Sequence, residues 1–236
     1  MKLRHIHLPS LTHYKHGDRV QDLIVRQHLA AKADPSLPKP PPTVITAQFH
    51  PVYTTGRRDY GRLTNEAKQI LRDGGRAEVF EALRGGQTTY HGPGQLTAYP
   101  IIDLKQHMLG TRDYICVLEK SLIALCAKYG VKAMTTENTG VWITEDKKIA
   151  AVGVHLRRYV SSHGIGLNVD RRVDWGFGRI VACGLEGKST TSLEAEGATG
   201  LQVEQVGKDF VEELASRLSG VEGIEVVDDP LRKPLE

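Results

Sequence analysis

Apolar and polar positions alternate, then change period, along most of the chain. Residues 3–8 read as an opening strand, and Asp18 stands where it would cap a helix whose Val20, Leu23, Ile24, Gln27 and Ala31 share one face. The β-branched run 43–49 predicts a strand, with Thr54-Thr55-Gly56-Arg57-Arg58 as a polar loop after it. Thr64 is placed to cap a short helix ending at Gly74-Gly75, and residues 77–83 predict a strand that delivers the chain to Arg84. Apolar residues from Leu96 to Leu104 predict a further strand. The clearest helix spans 112–129, where Ile115, Leu118, Leu122, Leu125 and Cys126 recur at helical spacing and Gly130 is the stop. Strands are predicted at 131–134, 141–144 and 149–157, the last two joined as a hairpin, and at 161–169, where two glycines within an apolar run signal close backbone approach. A helix near 203–218 completes the pattern, which is that of one α/β (α+β) domain over residues 1–220. Residues 34–42, with five prolines, read as an exposed loop, and 221–236 as a C-terminal tail, frayed from Asp228 onward.

Composition narrows the function more by exclusion than by indication. With 236 residues, 40% hydrophobic and 25% charged, the chain has the make-up of a globular protein, and its net charge of +3 is too small and too evenly spread to argue for nucleic acid. No apolar run is long enough to span a membrane. Three cysteines without a Cys-x-x-Cys pair argue against a disulfide framework and for a reducing compartment, and no histidine, cysteine or carboxylate spacing predicts a metal site. The first 16 residues carry Lys2, Arg4 and Lys15 and no acid, a weak mitochondrial-targeting character.

The richest chemistry lies in Arg84-Gly85-Gly86-Gln87-Thr88-Thr89-Tyr90-His91, followed by Gly92-Pro93-Gly94-Gln95. Its glycines permit close backbone approach and its side chains offer polar contacts, so it reads as a substrate cradle. It is neither a dinucleotide fingerprint nor a Walker loop, because no Gly-Lys-Ser/Thr follows and the chain leads into a strand rather than a helix. Cys183 is set apart from Cys116 and Cys126 by small, polar neighbours in Gly184-Leu185-Glu186-Gly187-Lys188-Ser189-Thr190, which makes it the candidate nucleophile. An unperturbed thiol is mostly protonated at neutral pH, so it needs a nearby cation or base. His91, His163 and Lys148 are candidates, and hairpin alternation alone does not decide whether Lys147 or Lys148 faces inward.

Four ordered motifs, Arg84 to Leu96, Lys148-Ile-Ala-Ala-Val-Gly-Val, His163-Gly-Ile-Gly-Leu-Asn-Val and Ala182-Cys-Gly-Leu, resemble those of the lipoyl(octanoyl) transferases. The resemblance implies a single domain with a central mixed β-sheet flanked by helices, as in biotin and lipoate protein ligases. It also implies a ping-pong reaction without cofactor or metal, in which Cys183 takes an octanoyl group from acyl carrier protein as a thioester and yields it to a lysine of a lipoyl domain. Those domains belong to 2-oxoacid dehydrogenase complexes or the glycine cleavage H protein. Lys148 corresponds to the lysine that lowers the thiol pKa or takes its proton. Residues 84–91, then Ala151, Val152 and Gly153, then Gly164, Ile165 and Gly166 correspond to substrate-contacting segments, the last with glycine where alanine is commoner. The proline-rich insertion is of fungal character, which implies a mitochondrion, or the cytoplasm if the source is bacterial. An ATP-dependent lipoate or biotin protein ligase is the rival of the same fold, and a catalytically silent docking module is the rival of another class. Cys183 paired with Lys148 counts against both.

Overall fold

The computed structural model describes residues 1–180 and 187–232. The main sheet begins with β1 (Lys2–Thr12), which leads into helix α1 (Tyr14–Ala33) and then β2 (Thr43–Phe49). The helix starts a turn before Asp18, with His13 at its N-cap, and its buried face is Tyr14, Gly17, Val20, Gln21, Ile24 and His28. Gln27 is exposed and only Val20 and Ile24 of the expected stripe are fully buried, because Gly17 seats the helix directly on β2: a Cβ there would lie 2.8 Å from the Phe49 ring. Residues 34–39 are exposed loop, as the prolines predict.

Thr54 and Thr55, expected in a loop, belong to β3 (Val52–Thr55), all of it buried. Helix α2 (Asn65–Arg72) has the predicted Thr64 cap, whose hydroxyl accepts from the Ala67 amide at 3.2 Å, and ends where Asp73, Gly74 and Gly75 take positive φ. The next two strands, β4 (Glu78–Glu81) and β5 (Thr89–His91), flank β3 in a separate three-stranded sheet of order β4-β3-β5. Then come β6 (Gln95–Ile101) and α3 (Thr111–Lys128), with Cys126 fully buried on its core face and Cys116 exposed. Residues 131–134 form no strand; Met134 makes only an isolated bridge to Trp142. β7 (Val141–Thr144) and β8 (Lys147–Arg157) form the expected hairpin, and β9 (Val160–Asn168) follows. The short α4 (Asp174–Phe177), the two-residue β10 (Ser189–Thr190), α5 (Val203–Ala215) and β11 (Gly223–Val227) complete the chain.

The main sheet runs β10-β8-β9-β6-β2-β1-β11, with β7 also paired to β8. It is mixed: β1 lies parallel to β2 and β11, β10 parallel to β8, and the remaining pairs are antiparallel. The strand at 223–227 corrects the expectation of a tail from 221, and farther on Asp229 is tied to His16 at 2.6 Å. Helices α3 and α5 cover one face, packing on Val44, Leu96, Ala98, Ile165 and Leu167. Helix α1 covers part of the other, over Ile45, Ala47, Phe49, Tyr99 and Ile101. Alternation along each strand sends successive side chains to these two cores, and the small sheet closes over the rest of the α1 face. Its third core holds Tyr53, Tyr90 and Val173.

Candidate active site

A cavity of about 380 Å³ opens between the small sheet and the α1 face of the main sheet. Arg84, Gly85, Gly86, Gln87, Thr89 and His91 line it from the cradle, and Lys148, Ala151, Val152, Gly153, Gly164, Ile165 and Gly166 from the main sheet. Three of the four expected segments therefore meet around one space. Cys183 lies outside the described residues, as do the rest of 181–186.

Two expected contacts face elsewhere. Tyr90 is buried in the third core, edge-on to Trp175 and Phe177 and tilted against Tyr53, and Thr88 is bound through its amide (2.6 Å) and hydroxyl (2.9 Å) to Asp59. Alternation along β5 explains the split: with Thr89 and His91 turned to the cavity, Tyr90 must point away.

The fit between the sheets depends on glycine. Ala151 pairs with Gly166 and Gly153 with Gly164, so β8 and β9 present a shallow surface to the cradle. A Cβ on Gly153 would lie 3.2 Å from the Gly85 carbonyl, and one on Gly164 only 2.3 Å from the Ala98 carbonyl of the next strand. The Gly85 amide donates to the Val154 carbonyl at 2.9 Å, which joins the cradle to β8 by backbone alone. A Cβ on Gly166 would sit 3.1 Å from Gln95 Oε1, so glycine at this position spares a hydrogen bond described below.

Arg84 is buried and its guanidinium is held by β3: Nε donates to Thr54 Oγ1 at 3.2 Å, and Nη2 to the Thr54 carbonyl at 2.6 Å and to Oγ1 at 3.0 Å. Nη1 donates to its neighbour's carbonyl, Gly85 O, at 3.0 Å. Thr54 of β3 is thus the second half of the cradle.

His91 donates from Nδ1 to Gln95 Oε1 at 2.7 Å, since the Gln95 amide nitrogen is itself spent on the Tyr90 carbonyl (3.2 Å) and Asn168 Oδ1 (3.0 Å). Asn168 in turn donates to the Thr191 carbonyl at 2.8 Å, and the Thr191 amide donates to the Lys148 carbonyl at 2.8 Å. This chain of buried amides ties the cradle to residues that follow the Cys183 segment in sequence. His163 adopts a positive φ of 55°, and its amide donates to Gln21 Oε1 at 2.5 Å.

Burial, reinforced by the Arg84 charge, pushes His91 down to about 4 and His163 down to about 3. Both are neutral at pH 7, so neither supplies the cation that a thiolate needs. An unfolded imidazole titrates near pH 6.5. Stability from these groups is therefore complete above that value and is lost as pH falls toward about 4 for His91 and 3 for His163. Each contributes about 1.4 kcal/mol per pH unit across its window. Urea midpoints measured from about pH 7 to pH 5 are expected to fall steadily, and replacement of either histidine by glutamine is expected to flatten the slope.

Lys148 and Lys147 are separated cleanly. Lys147 points outward to Glu196 at 3.3 Å, while Lys148 is 6% exposed, donates to the Thr139 carbonyl at 3.1 Å and lies 4.5 Å from the centre of the Trp142 ring. The turn that receives it is built for the purpose. Glu119 on α3 accepts from the Gly140 amide at 2.9 Å, and Trp142 Nε1 donates to the Asn138 carbonyl at 2.9 Å. Gly140 has φ 123°, and a Cβ there would press on the Ala150 carbonyl (2.7 Å) and the Lys148 side chain (3.3 Å). Ser189 and Thr190 of β10 pair with Lys147 and Lys148, so the chain leaving the Cys183 segment runs beside the lysine's own backbone.

Tyr14, Thr54, Tyr99 and Thr139 also line the cavity and were not singled out by sequence. Tyr99 read there as a position of the strand after the cradle, and Tyr14 fell before the expected Asp18 cap.

Comparison with known proteins agrees with this architecture. Residues 19–215 match the lipoyl protein ligase A/B catalytic domain. A probable octanoyltransferase of Schizosaccharomyces pombe is 46% identical over 201 residues, 83% of this chain and 89% of that protein. A mitochondrial octanoyl-[acyl-carrier-protein]:protein N-octanoyltransferase of Danio rerio is 38% identical over 81% of each chain. Among solved structures, lipoate-protein ligase A bound with ATP superposes with a TM-score of 0.72 over 97% of this chain and 89% of that one, at 11% identity, a likeness of fold. With its mixed sheet, glycine-lined cavity and inward lysine, the chain belongs to the octanoyl(lipoyl) transferase family, built on the lipoyl protein ligase A/B catalytic domain.

Proposed function

We propose that the protein is an acyltransferase that moves an octanoyl group from octanoyl-acyl carrier protein to a lysine of a lipoyl domain through a thioester on Cys183. The observation that supports this best is the inward Lys148, held at the cavity by the Thr139 carbonyl while both cavity histidines are neutral. In the first half of the reaction the lysine favours or generates the thiolate, which attacks the carrier thioester and expels the carrier thiol. In the second, the acceptor amine attacks the acyl-enzyme, Cys183 leaves, and the proton shed by the amine returns by way of Lys148. The cavity residues of 84–91, with Ala151 to Gly153 and Gly164 to Gly166, hold the acyl thioester in place.

The acceptors we assign are lipoyl domains of 2-oxoacid dehydrogenase complexes or the glycine cleavage H protein. The mitochondrial designation of eukaryotic relatives supports a mitochondrial setting in a eukaryotic cell, and relatives of bacterial origin support the cytoplasm in a bacterium. Incubation with octanoyl-carrier protein, without ATP, is expected to add the mass of one octanoyl group, which peptide mapping places on Cys183. A requirement for ATP with free octanoate would favour the ligase chemistry instead.

A further inference from the structure

Lys148 is received by a turn with little rigidity of its own. Residues 135–140 form no helix or strand, and Gly140, at φ 123°, lacks the Cβ that would restrict the peptide before it. The lysine depends on that peptide: its carbonyl, on Thr139, accepts from Lys148 Nζ at 3.1 Å, and its N–H, on Gly140, donates to Glu119 Oε1 at 2.9 Å. Carboxylate and amine thus hold opposite ends of a single amide group. A carboxylate only accepts, so a flipped peptide would aim its carbonyl at Glu119 and lose both hydrogen bonds. The neighbouring groups of the turn are held independently, since the Asn138 carbonyl accepts from Trp142 Nε1 at 2.9 Å and the Asn138 amide donates to Thr136 Oγ1 at 3.1 Å.

Resting on the acyl-transfer reading, we infer that Glu119 is a positioning residue for that reaction, setting the orientation of the peptide between Thr139 and Gly140 and, through it, the direction of the Lys148 amine. The platform for this is firm. Tyr114, Leu118, Leu122 and Leu125 of α3 are fully buried in the main core, which fixes the helix from which Glu119 projects. Ile115, one turn earlier on the same face, lines the cavity together with Glu137, Asn138 and Thr139, so this side of α3 serves the turn rather than the core. A lysine stem is long and rotamer-rich, and the Trp142 ring, 4.5 Å from Nζ, limits its drift without giving it a direction. The Thr139 carbonyl gives the direction, and Glu119 holds the carbonyl.

The test is single-turnover acylation of the full chain by octanoyl-pantetheine, read by intact mass over a range of thioester concentrations. Glu119→Ala is expected to lower the saturating rate by roughly 10- to 100-fold, the effect of a misplaced reacting group, and to leave the half-saturating concentration within about twofold. Glu119→Gln, whose amide oxygen still accepts from Gly140, is expected to stay within about threefold of the unsubstituted rate. In a Lys148→Ala background Glu119→Ala is expected to change the rate by less than about twofold, because the group through which it acts is gone. Equal losses in both backgrounds, or a Glu119→Gln variant as slow as Glu119→Ala, overturn the assignment. Glu119→Met, which also has no acceptor there, carries the same expectations if the alanine variant fails to fold. A second readout needs no acyl transfer: on brief labelling with acetic anhydride, mapped by peptide mass, Lys148 of the folded Glu119→Ala variant is expected to react at least about threefold faster relative to Lys147 than in the unsubstituted protein. An unchanged labelling ratio overturns the hold on the lysine. Absence of any adduct on the unsubstituted protein overturns the acyl-transfer reading and the role in transfer with it, while the labelling ratio still decides whether Glu119 sets the amine.

Discussion

Lys148→Ala is expected to slow octanoyl transfer by roughly 10²- to 10⁴-fold, the range for loss of a positioned proton-transfer group. Cys183→Ala is expected to abolish the acyl-enzyme altogether. The lysine's contribution depends on placement: its amine is fixed by the Thr139 carbonyl and the Trp142 ring in a turn shaped by Glu119 and Gly140. Lys148→Arg is therefore expected to rescue little, since a planar guanidinium is larger than the ammonium for which the slot is formed. Lys147→Ala, which removes only a half-exposed contact to Glu196, is expected to stay near full activity. Single-turnover mass measurements separate the two steps: slow adduct formation places the lysine at thiol activation, and slow loss of adduct to the acceptor places it at the amine. Equal rates in Lys148→Ala and the unsubstituted protein would sink the assignment.

Arg84→Ala is expected to cost on the order of 3 kcal/mol in stability, because it strips charge-assisted hydrogen bonds from the buried Thr54 carbonyl and hydroxyl. The same change removes the positive charge that helps depress His91 and His163, so both imidazoles are expected to titrate closer to their ordinary range. Chemical denaturation measures the first effect, and histidine proton resonances followed against pH measure the second. Histidine titrations that stay put would mean that burial alone sets them. Arg84→Lys is expected to preserve the charge effect on the histidines but not the stability, since an ammonium cannot reproduce the fork on Thr54.

The gross order of elements and the glycine-rich segment that lines the cavity were legible in the sequence, because glycine-rich and periodic segments announce their geometry locally. What sequence obscured has a common cause in distant partners. Thr54 and Thr55 read as loop since buried hydroxyls look costly until distant partners satisfy them, Arg84 for Thr54 and the Ala82 amide for Thr55. Asp18 looked like a helix cap because its neighbours are polar, yet the helix begins at Tyr14, whose ring is drawn in by Phe49 and Phe80. Residues 223–227 fell within the expected tail, and pairing with β1 makes them a strand. The choice between Lys147 and Lys148 rested on resemblance, and the geometry of β8 now supplies the physical reason. Tyr90 shows the opposite limit: its place inside a family motif suggested substrate, while strand alternation commits it to packing.

The cradle rides on the three-stranded sheet and the lysine on the main one, with the Gly85 amide bonded across to Val154 between them. Exchange of that single amide with deuterated solvent is thus a gauge of how often the two halves part. Because a parted cradle no longer faces the lysine, Gly85 exchange faster than that of the β9 amides would set an upper bound on the fraction of molecules competent to react at any instant.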